Sequence, residues 1–149
     1  GFAGGEAAEA CFVENLRYAA DAAAPRGRTI LIEPLNHHDA PGYFLNHTEI
    51  ARRIIEAVGA PNLKLMFDCY HIQILEGDLT RRIDANLDIT GHIQFAGVPS
   101  RGRPDMGEVN YAHIFAHLAA RGYDAPLGAE YRPEAGDTDA SLGWMAALR

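Results

Sequence analysis

The chain has 149 residues, of which 48% are hydrophobic and 22% are charged, and its formal net charge at pH 7 is -7. This composition is typical of a globular domain with its own core. The negative balance argues against a surface for nucleic acid or for an anionic membrane, because both favour an excess of Lys and Arg. No apolar run has membrane-spanning length, so we expect neither a membrane anchor nor a secretory signal.

Cysteine and glycine usage exclude two further classes. The two cysteines, Cys11 and Cys69, are too few for a disulfide framework and cannot form a Cys-x-x-Cys zinc or redox site. We therefore expect a cytoplasmic protein in a reducing compartment. The glycine-rich start at residues 1–5 does not follow a strand pattern, so it does not predict a nucleotide-binding loop.

Helix and strand patterns alternate along the chain. Apolar residues at helical spacing predict helices at 6–24, from a cap at Asn46 or Thr48 to Val58, at 111–120 and at 140–148, with a broken helix at 72–76 and 79–87. Short apolar or β-branched runs predict strands at 29–32, 63–67, 89–95 and 126–131. Strands separated by helices are parallel, with right-handed crossovers. The prediction is an α/β protein, a parallel βα repeat of four strands and five helices.

Each predicted strand ends in a side chain that carries a hard oxygen atom. These side chains are Glu33, Asp68, Gln94 and Glu130. In a parallel βα array they lie at one end of the sheet, and in a barrel they converge on its axis. Converging carboxylates repel unless a positive group lies between them, and a divalent metal is the simple solution. Oxygen ligands favour Mg²⁺ or Mn²⁺ over zinc. For one such acid alone, a helix cap or a loop anchor would be the better interpretation.

The histidines divide into one near the predicted site and several that we interpret as structural. His71 lies one turn past Asp68, where it can donate to a substrate oxygen. Strand alternation places His92 on the same side as Gln94, in a packing or supporting position. We interpret the loop pair His37 and His38 as surface residues, with substrate contact as the alternative. We also interpret the helical pair His113 and His117 as surface residues, with metal binding as the alternative.

The loop after the third strand contains two arginines, Arg101 and Arg103. A guanidinium above the strand ends suits a substrate carboxylate, because it is planar and can bind both oxygens. An exposed loop arginine is the alternative for each of them. Glu108 precedes the predicted helix cap Asn110, where an acid also favours the helix dipole, so we assign it a structural role. Cys69 and Tyr70 are interpreted as packing residues.

Five segments of the sequence together resemble one family. They are Ile32-Glu33-Pro34-Leu35, Phe67-Asp68-Cys69-Tyr70-His71, His92-Ile93-Gln94-Phe95-Ala96-Gly97, Gly107-Glu108-Val109-Asn110-Tyr111 and Gly128-Ala129-Glu130-Tyr131. In this order and spacing they resemble the hydroxypyruvate isomerase family, one of the xylose-isomerase-like TIM barrels, to which the ketose 3-epimerases also belong. Gln94 and the segment beginning at Gly107 favour hydroxypyruvate isomerase, since the epimerases carry a His at the position of Gln94.

The resemblance implies a divalent metal, Mg²⁺ or Mn²⁺, held by Glu33, Asp68, Gln94 and Glu130. It implies that Glu33 and Glu130 transfer the proton, and that His71 and Arg101 hold a small hydroxy-keto acid. The implied reaction interconverts hydroxypyruvate and tartronate semialdehyde through an enediolate. A related activity on 2-oxo-tetronate belongs to close relatives of the family, so the substrate stays open.

The number of strands departs from the family's pattern. A full (β/α)₈ barrel takes about 250 residues, whereas this chain supplies four strands. By the resemblance they are the last four, so we expect residues 1–149 to form one domain that lacks its N-terminal half. Two open strand edges and an exposed apolar interior predict a homo-oligomer.

Three other functions remain open. The first is a ketose 3-epimerase that uses the same site. The second is an AP-endonuclease-like phosphodiesterase, against which the acidic balance argues. The third is a catalytically inactive metal-binding or assembly remnant.

Overall fold

A computed structural model describes residues 5–146, which form a four-stranded sheet in the order β1-β2-β3-β4. The strands are β1 (Ile30–Ile32), β2 (Leu63–Asp68), β3 (Thr90–Phe95) and β4 (Leu127–Ala129). The helices are α1 (Glu6–Ala23), α2 (Thr48–Val58), α3 (Cys69–Leu75), α4 (Leu79–Asn86), α5 (Tyr111–Ala120) and α6 (Thr138–Ser141). Every pairing between neighbouring strands is parallel, which confirms the predicted parallel βα repeat.

The two faces of the sheet differ in burial. Leu63, Leu65 and Phe67 of β2 alternate along the strand and are at most 1% exposed, because they belong to the core that the sheet shares with the helices. Residues of the opposite parity, such as Lys64 and Met66, are only partly buried. Among the described residues, the helices therefore cover one face of the sheet, and the other face keeps half-exposed side chains.

The helices share one hydrophobic core against the covered face. Ala51 and Ile54 of α2 are fully buried, as is nearly all of Ile83 on α4. Ile114 and Leu118 of α5 belong to the same core. Truncation of a core Ile to Ala costs about 2–5 kcal/mol in other proteins. This packing fixes the strand ends on which the candidate site depends.

The start of α2 differs from the prediction. The helix is preceded by His47, which makes no side-chain capping bond, so neither Asn46 nor Thr48 is the cap. The carboxylate of Glu76 accepts hydrogen bonds from the backbone N–H of Thr48 at 2.7 Å and from its hydroxyl at 2.9 Å. A residue 28 positions away thus satisfies the helix terminus, which local sequence cannot indicate.

The end of the chain also differs from the prediction. The expected helix at 140–148 is instead the short α6, followed by a 3₁₀ segment at Leu142–Ala146, and residues 147 and 148 lie outside the described range. Asp137 caps α6 by accepting from the N–H of Ala140 at 3.0 Å, which starts the helix before the predicted position. In the described part of the chain, none of the helices is both long and apolar enough to cross a membrane.

Candidate active site

The first two strands bring a partly buried acid and a fully buried acid to the same edge of the sheet. Glu33 follows β1, and its side chain is 27% exposed, although its Oε1 is buried and has no hydrogen-bond partner among the described residues. Asp68 ends β2 and is 1% exposed. Its Oδ1 accepts from the N–H of Tyr70 at 2.9 Å, which starts α3 directly after the strand rather than at residue 72. The other oxygen, Oδ2, remains for the site.

His71 lies between these two acids. It is 1% exposed, and its Nε2 is 3.8 Å from Glu33 Oε1 and 3.8 Å from Asp68 Oδ2. One ligand atom from each of the three residues lies within 4.8 Å of the others. The predicted neighbourhood of His71 and Asp68 is therefore present in the fold.

The other two strands bring Gln94 and Glu130 to the same edge. Gln94 is the register partner of Asp68 across the sheet, and Gly128 is the register partner of Gln94. Glu130 follows β4, and its N–H donates to the carbonyl of Phe95 at 3.1 Å. The Glu130 side chain is 54% exposed. All four predicted strand-end oxygens thus lie along one edge, with the first two far more enclosed than the fourth.

Arg101 provides a positive group between the acids. Its guanidinium pairs with the carboxylate of Glu130, and its Nη2 lies 3.5 Å from Asp68 Oδ2. Its Nη1 is 3.6 Å from Asp39 Oδ2, and the guanidinium carbon lies 4.9 Å from the centre of the Tyr70 ring. Sequence reasoning assigned the compensating charge to a metal alone. It also treated Tyr70 as packing, but the ring has a cation–π contact as well.

The loop that carries Arg101 is held by backbone contacts. The N–H of Gly97 donates to the carbonyl of Gly102 at 2.8 Å, and the N–H of Arg132 donates to the carbonyl of Arg101 at 2.8 Å. At Gly107, φ is +108° and a Cβ would lie 2.2 Å from the carbonyl oxygen of Val98, so this close approach requires glycine. These contacts position Arg101 over the strand ends.

Burial, with a smaller contribution from neighbouring negative charges, raises the pKa values of Glu33 and Asp68. Burial, followed by the charges of Asp68 and Glu130, raises the pKa of Glu33 from 4.5 to about 7. Burial likewise raises the pKa of Asp68 from 3.8 to about 6, against the hydrogen bond from Tyr70 and the charge of Arg101. Burial and the charge of Arg101 lower the pKa of His71 from 6.5 to about 4. Such opposed shifts in one cluster are typical of functional sites.

Sequence reasoning missed Asn36 and Asp39, which lie in the loop after β1. Asn36 is fully buried and contacts His71, while Asp39 contacts both Asn36 and Arg101. The sequence signal that could have found them is an Asn and an Asp three residues apart in the loop after β1, since Asn and Asp favour tight turns.

Several other residues weighed in the sequence lie away from the site. Arg103 pairs with Asp105 at 2.6 Å and not with the strand-end acids. Glu108 accepts from Gln73 at 3.1 Å. The helical histidines contact α4: His113 lies 3.3 Å from the hydroxyl of Thr80, and His117 lies 2.8 Å from Asp84. His92 lies next to Gly128, where an added Cβ would be 2.8 Å from its Nε2, which agrees with a packing role.

The residues present fit a divalent cation. Among the described residues, Glu33 Oε1 is a buried oxygen without a hydrogen-bond partner, a ligand atom of the buried Asp68 lies within 4.8 Å of it, and all four strand ends carry hard oxygens. A cation of the Mg²⁺ or Mn²⁺ class would satisfy this oxygen, and it would offset the burial and the smaller repulsion that raise the pKa values of Glu33 and Asp68.

Comparison with known proteins identifies the family. The family model described as "Xylose isomerase-like TIM barrel" matches residues 1–148, so the chain belongs to that family. The chain is 52% identical over 136 residues to a 2-oxo-tetronate isomerase of Cupriavidus necator, and the match covers 91% of this chain and 52% of the relative. It is 42% identical over 144 residues to the hydroxypyruvate isomerase of Escherichia coli, which spans 97% of this chain and 55% of the relative. The resemblance inferred from the sequence motifs is confirmed.

Solved structures agree with this assignment. A structure from Brucella melitensis titled as an AP endonuclease of family 2 has a TM-score of 0.89 and 45% identity, and the match covers 95% of this chain and 54% of that one. A 3-keto-D-glucoside 4-epimerase from E. coli has a TM-score of 0.83 and 28% identity, with 95% and 53% covered. The chain therefore has the fold of part of a TIM barrel and spans about half the length of the curated relatives that it matches.

Proposed function

We propose that the protein catalyses the isomerisation of a small hydroxy-keto acid, with hydroxypyruvate and tartronate semialdehyde as the first substrate pair. The observation that carries this proposal is the group formed by Glu33, Asp68 and His71 at the ends of two neighbouring parallel strands. Arg101 lies beside it as a cation for the substrate carboxylate. The names of the most similar curated relatives support the same reaction class.

Glu33, Asp68, Gln94 and Glu130 are the residues that would hold Mg²⁺ or Mn²⁺. When bound, such an ion polarises the carbonyl and hydroxyl oxygens of the substrate and stabilises the enediolate charge. Activity measured separately with Mg²⁺ and with Mn²⁺ distinguishes the two metals.

Two glutamates divide the proton transfer in this proposal. One of Glu33 and Glu130 takes the proton from the hydroxyl-bearing carbon, and the other returns a proton to the former carbonyl carbon, while the hydroxyl proton passes to the former carbonyl oxygen. Arg101 orients the substrate through its carboxylate, and His71 donates to a substrate oxygen.

The test is a coupled assay of hydroxypyruvate loss with added Mg²⁺ or Mn²⁺. Glu130→Gln keeps the shape of the side chain but removes its base, so we expect the rate to fall by about 10²- to 10⁴-fold. Glu108→Gln is the matched control, because Glu108 contacts Gln73 outside the site. Equal rates for wild type and Glu130→Gln would refute the proton-transfer role. No rate with any metal would favour the inactive remnant.

The substrate is chosen by the same assay. The 52% identity to a 2-oxo-tetronate isomerase makes that four-carbon acid the second substrate to test. Turnover of free ketohexoses without turnover of either keto acid would select a ketose 3-epimerase. Binding of abasic DNA would select the AP-endonuclease-like phosphodiesterase class, to which the similar Brucella melitensis protein is assigned by name.

We further propose that this chain associates with a second copy. β1 pairs with β2 alone and β4 pairs with β3 alone among the described residues, so both edge strands offer unpaired backbone groups. The sheet face opposite the helices is also only partly buried. Sedimentation velocity should show a dimer or larger assembly, whereas a monodisperse monomer that binds no hydrophobic dye would contradict this.

A further inference from the structure

Asn36 is locked in the turn that follows β1. Its side-chain Oδ1 accepts hydrogen bonds from the backbone N–H groups of His38 and Asp39, both at 3.0 Å. Its Nδ2 donates to Asp39 Oδ2 at 3.0 Å, and the whole residue is 0% exposed. Because the oxygen accepts from two backbone donors, the orientation of the amide is fixed, and its NH₂ is directed at Asp39 Oδ2 and at the ring of His71.

Two donors of Asn36 meet the same nitrogen of His71. The backbone N–H lies 3.0 Å from His71 Nδ1, and the side-chain Nδ2 lies 2.8 Å from it. A ring nitrogen that faces two N–H groups acts as an acceptor and has no hydrogen of its own. The only other ring position for a proton is Nε2.

Nε2 is the nitrogen that faces the site. It lies 3.8 Å from both Glu33 Oε1 and Asp68 Oδ2. A protonated Nε2 donates a hydrogen bond and has no lone pair for a metal. A metal on Nε2 would require the remaining proton on Nδ1, directly against the two donors of Asn36.

We propose that Asn36 is a positioning residue that holds His71 with its proton on Nε2, so that His71 donates to a substrate oxygen and does not bind the metal. The substrate part of this inference rests on the proposed function. The tautomer part stands on the contacts of Asn36 alone. It also decides the composition of the cation site, because it leaves Glu33 and Asp68 as ligands and removes His71 from the group of three.

The contact between His71 and Arg101 is the one that opposes this assignment in the unliganded site. Arg101 Nη1 lies 3.1 Å from His71 Nε2, so two donors face each other there. The alternative tautomer would place the conflict at a backbone N–H, which cannot turn away, whereas the Arg101 side chain can rotate. An oxygen acceptor of the substrate, placed to receive both hydrogens, removes the conflict.

The test is ¹⁵N NMR of the histidine rings of the full chain near neutral pH without metal, with the His71 signals assigned by their loss in His71→Gln. We expect Nε2 to carry the proton and Nδ1 to be unprotonated. Asn36→Ser keeps the backbone N–H and an acceptor for the turn, so the pattern should persist. Asn36→Asp replaces the NH₂ by a carboxylate oxygen that attracts a proton to Nδ1, so the Nδ1 signal should shift toward its protonated form.

Asn46→Asp is the matched control, since it makes the same change beside another imidazole: Asn46 Oδ1 lies 2.9 Å from His47 Nδ1. It should leave the signals of His71 unchanged. A proton on Nδ1 in the wild type would overturn the proposal, as would an unchanged His71 pattern in Asn36→Asp.

Two further readings separate this proposal from the proposed function. With Mg²⁺ added, Nε2 should keep its proton, and a switch to a proton on Nδ1 would show ligation and overturn the proposal. In the hydroxypyruvate assay, Asn36→Asp should lower kcat by about 10-fold, which corresponds to the loss of one hydrogen bond to a charged group. If the wild type turns over neither keto acid, the proposed function fails while the NMR result still decides the tautomer.

Discussion

Glu33 and Glu130 occupy equivalent positions after their strands, yet their surroundings differ. The Glu33 side chain is 27% exposed and has a buried oxygen with no hydrogen-bond partner among the described residues, whereas the Glu130 side chain is 54% exposed and pairs with Arg101. Both strands are three-residue edges, so the strands do not explain the difference. The loop after β1 folds back, with the N–H of Leu35 bonded to the carbonyl of Leu45, and it brings Tyr43 near the acid, since burial and then the charge of Glu33 raise the pKa of Tyr43. The loops, and not the strands, therefore account for the different surroundings of the two acids.

The largest effect should come from the enclosed acid. Glu33→Gln removes a proposed base and ligand together, so we expect kcat for hydroxypyruvate to fall by about 10²- to 10⁴-fold. Glu49→Gln is the control, because the Glu49 side chain is 85% exposed and lies on α2. If Glu33→Gln retained the wild-type kcat, Glu33 would be neither the base nor an essential ligand, and its burial would have no effect on catalysis.

The cation that contacts the exposed acid should affect binding. Arg101→Met removes the proposed partner of the substrate carboxylate and should raise KM by about 10- to 100-fold, as expected for a charged hydrogen bond of about 1.5–3 kcal/mol. Arg103→Met is the control in the same loop, because Arg103 pairs with Asp105 instead. Equal KM values for the two variants would remove Arg101 from substrate binding.

Stability of the metal-free protein should separate the two glutamates. Glu33→Gln relieves a buried charge, and because one pKa unit equals about 1.4 kcal/mol, we expect it to raise the free energy of unfolding by about 1–3 kcal/mol at alkaline pH. Glu130→Gln loses an exposed ion pair and should change it by less than about 1 kcal/mol, in the destabilising direction. Urea denaturation measures both, and equal shifts would contradict the difference in burial.

The same comparison predicts a pH dependence. The pKa of Glu33 rises from 4.5 to about 7 on folding, and that of Asp68 from 3.8 to about 6. The folded state therefore binds these protons more tightly, so their contribution is full at low pH and is lost as pH rises through those intervals.

His71 acts in the opposite sense, because its pKa falls from 6.5 to about 4 on folding. With two acids against one base, the stability of the metal-free protein should decline between about pH 4.5 and 7. In Glu33→Gln the decline should be smaller, and urea midpoints at several pH values check this. An increase in wild-type stability over that interval would contradict the assignment.

The smallest effect should come from α5. His113 and His117 contact Thr80 and Asp84, away from the strand ends, so replacing both by Ala should leave Mn²⁺ affinity unchanged in a calorimetric titration. Asp68→Asn is the positive control, since it removes a proposed ligand charge while its Oδ1 can still cap α3. A loss of Mn²⁺ affinity in the double variant would place the metal site on α5 and contradict the proposed site at the strand ends.

The fold was predictable because its signals are local. Buried strand runs such as Leu63, Leu65 and Phe67 alternate with amphipathic helices, and such a pattern has one common solution, a parallel sheet with covering helices. The strand-end position of the predicted site residues follows from the same pattern. Asn110 was also predictable as a cap, and it accepts from the N–H of His113 at 3.1 Å.

What could not be predicted depends on contacts between distant parts of the chain. Glu76 caps α2 from across the fold, and Arg101 reaches acids on two strands. Asn36 meets His71 over a separation of 35 residues. Neither the hydrophobic period nor the residue type predicts these long-range contacts, because loop geometry brings the partners together.

Asp68 divides its two oxygens between two tasks. Oδ1 holds the first turn of α3 through the N–H of Tyr70, while Oδ2 is directed at the site. The longer side chain of Glu would move its carboxylate away from the cap, so even a substitution that conserves charge is expected to disturb the helix that presents His71. If the proposed site holds a divalent metal, position 68 is therefore a poor target for changing the choice of metal, and position 94 is the more promising one.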